Sequence, residues 1–221
     1  GTTTIAYANA VGPSGHATGL DISAPMLGVA RARAAREGKA VDFVEADAAA
    51  RSFAPEYDVV ASRFGVMFFA DPTTAFANIR RALKPGGRLV FVCWRAPTEN
   101  AWAFVPLAAA RPLLPEQPPA DPHAPGPFAF ADPARLKGIL ESAGFRNVAT
   151  DKLDTVMHMA PTATEAAKFS LTIGPLSRAA AEVDEATRAK IVEKVTVALN
   201  PYETAAGVAP PAACWLVTAQ A

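Results

Sequence analysis

The segments GHATGLDIS (residues 15–23) and VDFVEAD (residues 41–47) decide the fold, because each is a short apolar run that ends in an acid. A helix-like stretch separates them: Ser23 can cap it, Pro25 sits in its first turn, alanines and arginines fill 30–36, and Gly38 offers a left-handed stop. The pattern is strand, helix, strand. In an open parallel sheet, ligands occupy the crevice outside the carboxyl ends of the strands, so Asp21 and Asp47 mark that rim. An acid after a strand also caps the turn that follows it, and each carboxylate carries this structural reading beside the functional one.

Working outward, Thr2–Ala10 reads as a helix, Gly12-Pro13-Ser14-Gly15 as a turn, and Tyr57–Ser62 as a third strand whose Val-Val-Ala run suggests burial on both faces. Asp71-Pro72 opens a helix with Phe76, Ile79 and Leu83 at helical spacing, and Lys84-Pro85-Gly86-Gly87 breaks it before a strand at Arg88–Trp94. Proline becomes dense from Ala96 to Pro133, including Pro118, Pro119, Pro122, Pro125 and Pro127, which leaves room for one short helix near Ala101–Ala110. A helix at Pro133–Ala143, stopped by Gly144, carries Leu136, Ile139 and Leu140 on one stripe. Phe145–Met159 then reads as a long strand, Thr162–Asn200 as mostly helical with Ile191, Val195 and Leu199 on one face, and Ala213–Ala219 as a final strand. Alternation with short connections predicts an α/β fold, a parallel sheet covered by helices on both faces.

Composition narrows the partners. The 221 residues are 51% hydrophobic, enough for a sizeable core, and Lys plus Arg equals Asp plus Glu at 21 each. That balance gives no electrostatic reason to expect nucleic acid or an anionic membrane, and favours a small neutral or mixed-charge substrate. No apolar run approaches the ~20 residues that span a bilayer, and no basic-then-apolar leader is present, so a soluble, cytoplasmic protein is expected. Cys93 and Cys214 lie in separate apolar segments and read as buried free thiols. With only His16, His123 and His158 and no His-Glu-x-x-His pattern, no metal site is expected.

Other chemistries on this scaffold lack their parts. The residues four after Tyr7, Tyr57 and Tyr202 are Val11, Ala61 and Ala206, so the Tyr-x-x-x-Lys pair that a short-chain nicotinamide oxidoreductase needs is lacking. Gly12-Pro13-Ser14-Gly15-His16 misses the last glycine of a hydrolase nucleophile turn, and no Gly-x-x-x-x-Gly-Lys phosphate loop occurs.

Taken in order, VGPSGHATGLDISAPML (11–27), FVEADA (43–48), YDVVASRFGVMFF (57–69), LKPGGRL (83–89) and AGFRNV (143–148) resemble the class I S-adenosylmethionine-dependent methyltransferases, in the group of quinone-biosynthesis and other small-molecule enzymes. The likeness covers nearly the whole chain as a single domain, 1–221. It implies a Rossmann-like doubly wound sheet, mostly parallel with an antiparallel last strand and a helical insertion before it, with S-adenosylmethionine as cofactor. It implies that Asp21 accepts from both ribose hydroxyls, that Ile22 and Met26 pack near the adenine, and that Asp47 with the Ala48 backbone reads the adenine amino group. Ser62, Arg63 and Phe64 match the segment bordering the methionine end, although Arg63 equally suits a structural ion pair.

The resemblance has one gap. The family's first strand and its glycine-rich loop precede the first helix, whereas here Gly1 matches only that loop's last glycine. A sheet without its central strand leaves both neighbours unpaired, so an N-terminal segment is expected to be missing from these residues unless a later segment supplies the strand.

Methyl transfer needs alignment and exclusion of water, and a base only where the acceptor must lose a proton. His158 and His123 are the candidate bases, each with a bland surface or packing reading, while His16 lies at a strand's beginning and reads as structural. Segments 95–130 and 160–212 are expected to cap the acceptor pocket, with Trp102, Phe104, Phe128, Phe130, Phe169 and Leu171 pointing to a hydrophobic or aromatic acceptor. Trp94 lines this pocket or fills the core. From their neighbours alone, Met26, Met67, Met157 and Met159 read as core filler. The expected function is S-adenosylmethionine-dependent methyl transfer to a small molecule; the alternative is a catalytically inactive methyltransferase-like partner module.

Overall fold

Parallel pairing joins β1 (Thr18–Asp21) to β2 (Asp42–Glu45), with Gly19 opposite Phe43 and Asp21 opposite Glu45. The computed structural model of the chain describes residues 1–116 and 121–221, so Pro118 and Pro119 of the proline-dense stretch lie outside the described residues. Helix α1 (Thr2–Val11) precedes β1, and α2 (Ala24–Arg36) connects β1 to β2. Ser23 caps α2 by accepting from the Met26 N–H at 3.4 Å, Pro25 occupies its first turn, and Gly38 takes φ 61° just beyond its end, as the sequence predicts.

A second sheet contains β3 (Tyr57–Arg63), β4 (Leu83–Trp94), β5 (Arg146–Val156) and β8 (Pro211–Gln220), in the order β3-β4-β8-β5. β3 and β4 are parallel, and β8 is antiparallel to both β4 and β5. The expected mostly parallel sheet with an antiparallel last strand is therefore present, but it is divided: β1-β2 and β3-β4-β8-β5 are separate hydrogen-bonded sheets. Among the described residues no segment inserts between them. This division corrects the reading of β3 as buried on both faces. β3 bonds to β4 alone, and Val59 is 42% exposed. The Lys84–Gly87 break also sits inside β4 rather than before it, because Tyr57 pairs with Leu83 and Val59 with Arg88, which loops the intervening residues out with Gly86 at φ 78°.

Helix α3 (Pro72–Ala82) is capped by Asp71, which accepts from the Thr74 N–H at 3.0 Å. It buries Phe76 and Ile79, and Phe76 packs on Phe91 and Phe130 with ring centroids 5.6 and 5.8 Å away. α4 (Ala101–Ala110) and α5 (Pro133–Ser142) occupy the expected positions. The 162–200 stretch is three helices, α6 (Ala163–Ser170), α7 (Gly174–Ala179) and α8 (Glu185–Leu199), and Leu176, Ile191, Val195 and Leu199 are buried in the same core as the second sheet. A short hairpin, β6 (Glu203–Thr204) with β7 (Gly207–Val208), follows; nothing in the periodicity announces it. Among the described residues no helix is long and apolar enough to cross a membrane.

One buried amide holds the junction of β4, α4 and β8. Asn100 is fully buried: its Nδ2 reaches the carbonyls of Arg95, Ala96 and Ala213 at 3.3, 3.0 and 3.1 Å. Its Oδ1 accepts from the Trp102 Nε1–H at 3.1 Å and the Ala213 N–H at 2.9 Å. The Ala96 and Ala213 carbonyls also accept from the Glu99 and Arg95 N–H groups, each at 3.0 Å, so Asn100 fills their second acceptor positions. Without it the buried Trp102 indole N–H and the Ala213 N–H lose this acceptor, and orphaning a buried polar group costs about 1–3 kcal/mol. Asn100→Ala is expected to lower stability by about 3 kcal/mol or more, read as a drop in the denaturation midpoint.

Cys93 and Cys214 are free and buried, as expected. Desolvation pushes the Cys93 thiol up to about 12 and the Cys214 thiol up to about 11. Neither is expected to react with a thiolate-directed reagent at pH 8 in the folded protein, and both are expected to react after unfolding.

Candidate functional site

Because β1 and β2 are parallel, the chain leaves both on the same side. The Ala46 N–H bonds to the Asp21 carbonyl at 3.0 Å, and Asp47 follows one residue later. The two carboxylates therefore stand at adjacent strand tips on one rim, as the sequence predicts. Asp21 is half-buried, and its Oδ1 accepts from the Ser23 N–H at 2.9 Å, closing the turn into α2. Asp47 is exposed, and its Oδ1 accepts from the Ala49 N–H at 2.8 Å while its carbonyl accepts from Arg51 at 2.8 Å. Each acid serves its own turn with one oxygen, and among the described residues the other oxygen has no partner. The structural and functional readings are thus compatible.

Ile22 and Met26 flank this rim at 72% and 61% exposure, next to Asp21 and in the first turn of α2. For Met26 this corrects the core-filler reading. Met67 and Met159 are buried and Met157 is half-buried, in keeping with that reading. Two carboxylate acceptors beside exposed apolar side chains match a nucleoside, which offers a hydroxyl pair, an amino group and a flat apolar ring.

The turn after β2 lies against α3. Ala49, Ala50 and Ser52 share a surface depression with Thr73, Thr74, Ala77, Asn78 and Arg81, and Thr73–Asn78 belong to the part of α3 that starts near the carboxyl end of β3. The turn after β2 is thus packed on the flank of the helix that follows β3. At the β3 tip, Ser62 Oγ accepts from the Gly65 N–H at 3.2 Å, and Arg63 is exposed without an ion-pair partner among the described residues. Phe64 adopts φ 61°, a left-handed conformation that a bulky residue rarely takes, while its N–H bonds to the Val92 carbonyl at 3.0 Å. That bend lays its ring flat on Trp94, with centroids 4.2 Å apart and planes 9° apart. Trp94 packs on Trp102 at 4.9 Å, and Trp102 on Phe128 at 6.2 Å. An aromatic wall thus runs from the β3 tip into the 95–130 segment.

The remaining predicted residues fall elsewhere. Gly1 packs against Ala30 in mid-α2 and against Phe43; a Cβ there meets Ala30 Cβ at 2.5 Å, so close packing is what the structure shows for this glycine. Ala48 is half-buried against the core. His16 bonds to Asp42 at 2.9 Å at the opposite end of β1 and β2 from the rim, in keeping with its structural reading. His123 is exposed; its backbone N–H donates to Asp121 Oδ1 at 2.8 Å, in a loop tied just past the β3 tip by the Gly126 N–H to the Met67 carbonyl at 3.0 Å. His158 is exposed beyond the end of β5, beside Ala205–Val208. β4 and β8 lie between β5 and β3, a separation of about 14 Å at the usual strand spacing, so His158 is not brought to the β3 tip. Of the six aromatic and aliphatic residues expected to line the acceptor pocket, Trp102 and Phe130 are buried at 4% and 2% exposure and belong to the core, which corrects that assignment. Phe104 is exposed, and Phe128, Phe169 and Leu171 are half-buried.

Arg95, one residue past β4, escapes sequence reading. Its side chain is buried, paired with Glu99 and Asp154, and lies 5.2 Å over the Trp215 ring. Desolvation, the largest influence, pulls its pKa down, but the two carboxylates outweigh it and hold the guanidinium above its ordinary value. The i,i+4 spacing of Arg95 and Glu99 is the one signal in the sequence that could have found the pair. Asn78 and Asn100 carry no such signal.

Known proteins bear out the family resemblance. A methyltransferase domain family matches residues 1–91. The demethylmenaquinone methyltransferase of Thermus thermophilus is 34% identical over 143 residues, 60% of this chain and 64% of that protein. A ubiquinone/menaquinone biosynthesis C-methyltransferase of Stutzerimonas stutzeri is 33% identical over 153 residues, 64% of this chain and 60% of that protein. The chain thus spans somewhat less than two thirds of the length of these relatives. The fold is shared with a Haemonchus contortus phosphoethanolamine N-methyltransferase solved with S-adenosylhomocysteine, at a TM-score of 0.51 and 19% identity over 92% of this chain and 42% of that one.

The left-handed Phe64 allows a direct test. With a Cβ this conformation costs about 1–2 kcal/mol, whereas glycine adopts it freely. Both Phe64→Ala and Phe64→Gly lose the Trp94 stack, but Phe64→Gly is expected to be the more stable of the two by about 1 kcal/mol in chemical denaturation.

Proposed function

We propose that this chain, which carries a methyltransferase domain and is related to the quinone-biosynthesis C-methyltransferases, transfers a methyl group from S-adenosylmethionine to a small hydrophobic or aromatic acceptor. The observation that carries the reading is the placing of Asp21 and Asp47 at neighbouring parallel strand tips, with exposed Ile22 and Met26 beside them. When bound, the cofactor supplies an electrophilic methyl group on a sulfonium that loses its positive charge as the methyl departs.

The chain's own residues bind, orient and exclude water. Asp21 can accept from two neighbouring hydroxyls, and Asp47 from an exocyclic amino group, through oxygens their own turns leave open. Charge-assisted bonds of this kind are stronger than neutral ones and fix the nucleoside's orientation. Ser62, Arg63 and Phe64 stand at the next strand tip, where the methionine end would lie. Phe64 and the Trp94 behind it present an apolar wall to an acceptor, which suits a ring and keeps water from the sulfonium. In this reading the described residues of the 95–130 and 160–212 segments supply the acceptor's cover. The relatives' names point to a quinone-type ring as the acceptor class. His158 is held away from the β3 tip, which fits an acceptor that takes no base from it.

Calorimetric titration with S-adenosylmethionine and S-adenosylhomocysteine tests the reading. The wild-type protein is expected to bind both. Asp21→Ala is expected to weaken binding by about a hundredfold, the loss of two charge-assisted hydrogen bonds at about 1.5 kcal/mol each. Absence of binding by the wild type overturns the proposal and leaves a partner-binding module.

A further inference from the structure

The two sheets share no ladder, yet the reading above needs the β2 tip and the β3 tip to hold opposite ends of one molecule. Among the described residues, one side chain ties the two sides together by hydrogen bonds. The Asp47–Arg51 turn leaves the carbonyls of Ala48 and Arg51 outside any strand or helix, and both accept from Asn78 Nδ2, at 2.9 and 2.8 Å. Because both partners are carbonyls, which only accept, the atom facing them is the amide nitrogen, and its two hydrogens serve one carbonyl each.

Asn78 is itself fixed. It projects from α3 between Phe76 and Ile79, which are buried at 0% and 5% exposure in the core of the second sheet. The amide therefore ties the turn that carries Asp47 to the helix that follows β3. Neither the ribose acid nor the β3 tip residues touch it; its action passes through the Ala48 peptide.

We infer that Asn78 is a positioning residue of the nucleoside site: it sets the height of the Asp47–Ala48 turn relative to the β3 tip and so controls discrimination of the purine's amino edge. The inference rests on the proposed cofactor reading, in which Asp47 and the Ala48 backbone face the adenine. Without Asn78 the turn keeps its internal bonds, from Ala49, Ala50 and Arg51 to Asp47, but loses its registration to the second sheet. Asp47 then stays exposed yet no longer meets a base held from the far end.

The test is calorimetric, on the full-length protein, with two probes: S-adenosylhomocysteine and S-inosylhomocysteine, whose base carries an oxygen in place of the amino group. The wild type is expected to prefer the adenine probe by about tenfold or more, one charge-assisted hydrogen bond. In Asn78→Ala and Asn78→Ser the preference is expected to fall to about twofold, while the inosine probe binds nearly as before. Arg81→Gln, on the same helix and beside the same turn but bonded to neither carbonyl, is expected to keep the wild-type ratio. A merely structural role for Asn78 weakens both probes together and leaves the ratio unchanged, and that result overturns the inference. Failure of both Asn78 variants to fold, by circular dichroism, overturns it too. If the wild type binds neither probe, the cofactor reading itself fails, and that outcome is distinct from either of these.

Discussion

Parallel pairing of two four-residue strands is the constraint on which the site depends. Because β1 and β2 run the same way, the chain leaves both at one rim, and the residues that follow them, rather than those within them, face a ligand. An antiparallel pair would have sent Asp21 and Asp47 to opposite ends. Everything later in the chain supports that rim from outside: α2 starts beside Asp21 under the Ser23 cap, and α3 braces the turn after Asp47.

What the sequence made legible follows from which interactions are local. Helix starts at Ser23, Asp71, Asp132 and Thr162 are all side-chain caps, and capping is decided within three residues. The stripe Ile191, Val195, Leu199 is buried as its spacing requires. The carboxylates were readable because they end apolar runs. Val59 misled for the opposite reason: an apolar run states that a strand is hydrophobic but not how many neighbours it has, and β3 has one. Phe130 and Trp102 misled in a related way, since aromatic residues in a proline-rich stretch look available to a ligand until the core they fill is known.

The aromatic wall shows how strain and packing were traded at the rim. Phe64 would relax by straightening, but its N–H is held by the Val92 carbonyl and its ring by Trp94, so the left-handed bend persists. Such conformations gather where a side chain must point in a direction the regular strand does not offer. Here the strand's own alternation would aim residue 64 across the sheet; the bend turns the ring back over β4's last residue instead. Trp94 is in turn packed on Trp102, whose indole N–H is committed to Asn100. The orientation of the wall is therefore set by a hydrogen bond more than ten residues beyond β3, and no single aromatic residue in it is free to turn alone.

Two asparagines do related work at the two irregular places of this fold. Asn78 serves the carbonyls of the turn after β2, and Asn100 those of the bend after β4 together with Ala213 in β8. The turn after β2 leaves the carbonyls of Ala48 and Arg51 outside any strand or helix, and the bend after β4 brings the carbonyls of Arg95 and Ala96 against β8, so an amide side chain bonds to the backbone in both places. A primary amide suits the task because it donates two hydrogens without charge, where lysine or arginine would carry an ion into a half-buried site. The same neutrality hides these residues from sequence reading, since they obey no periodicity and pair mostly with backbone, the Trp102 indole on Asn100 being the side-chain partner. A rim built from strand tips must be irregular to face a ligand, and irregular backbone must be satisfied by side chains, so residues that never touch the ligand carry part of the site's geometry.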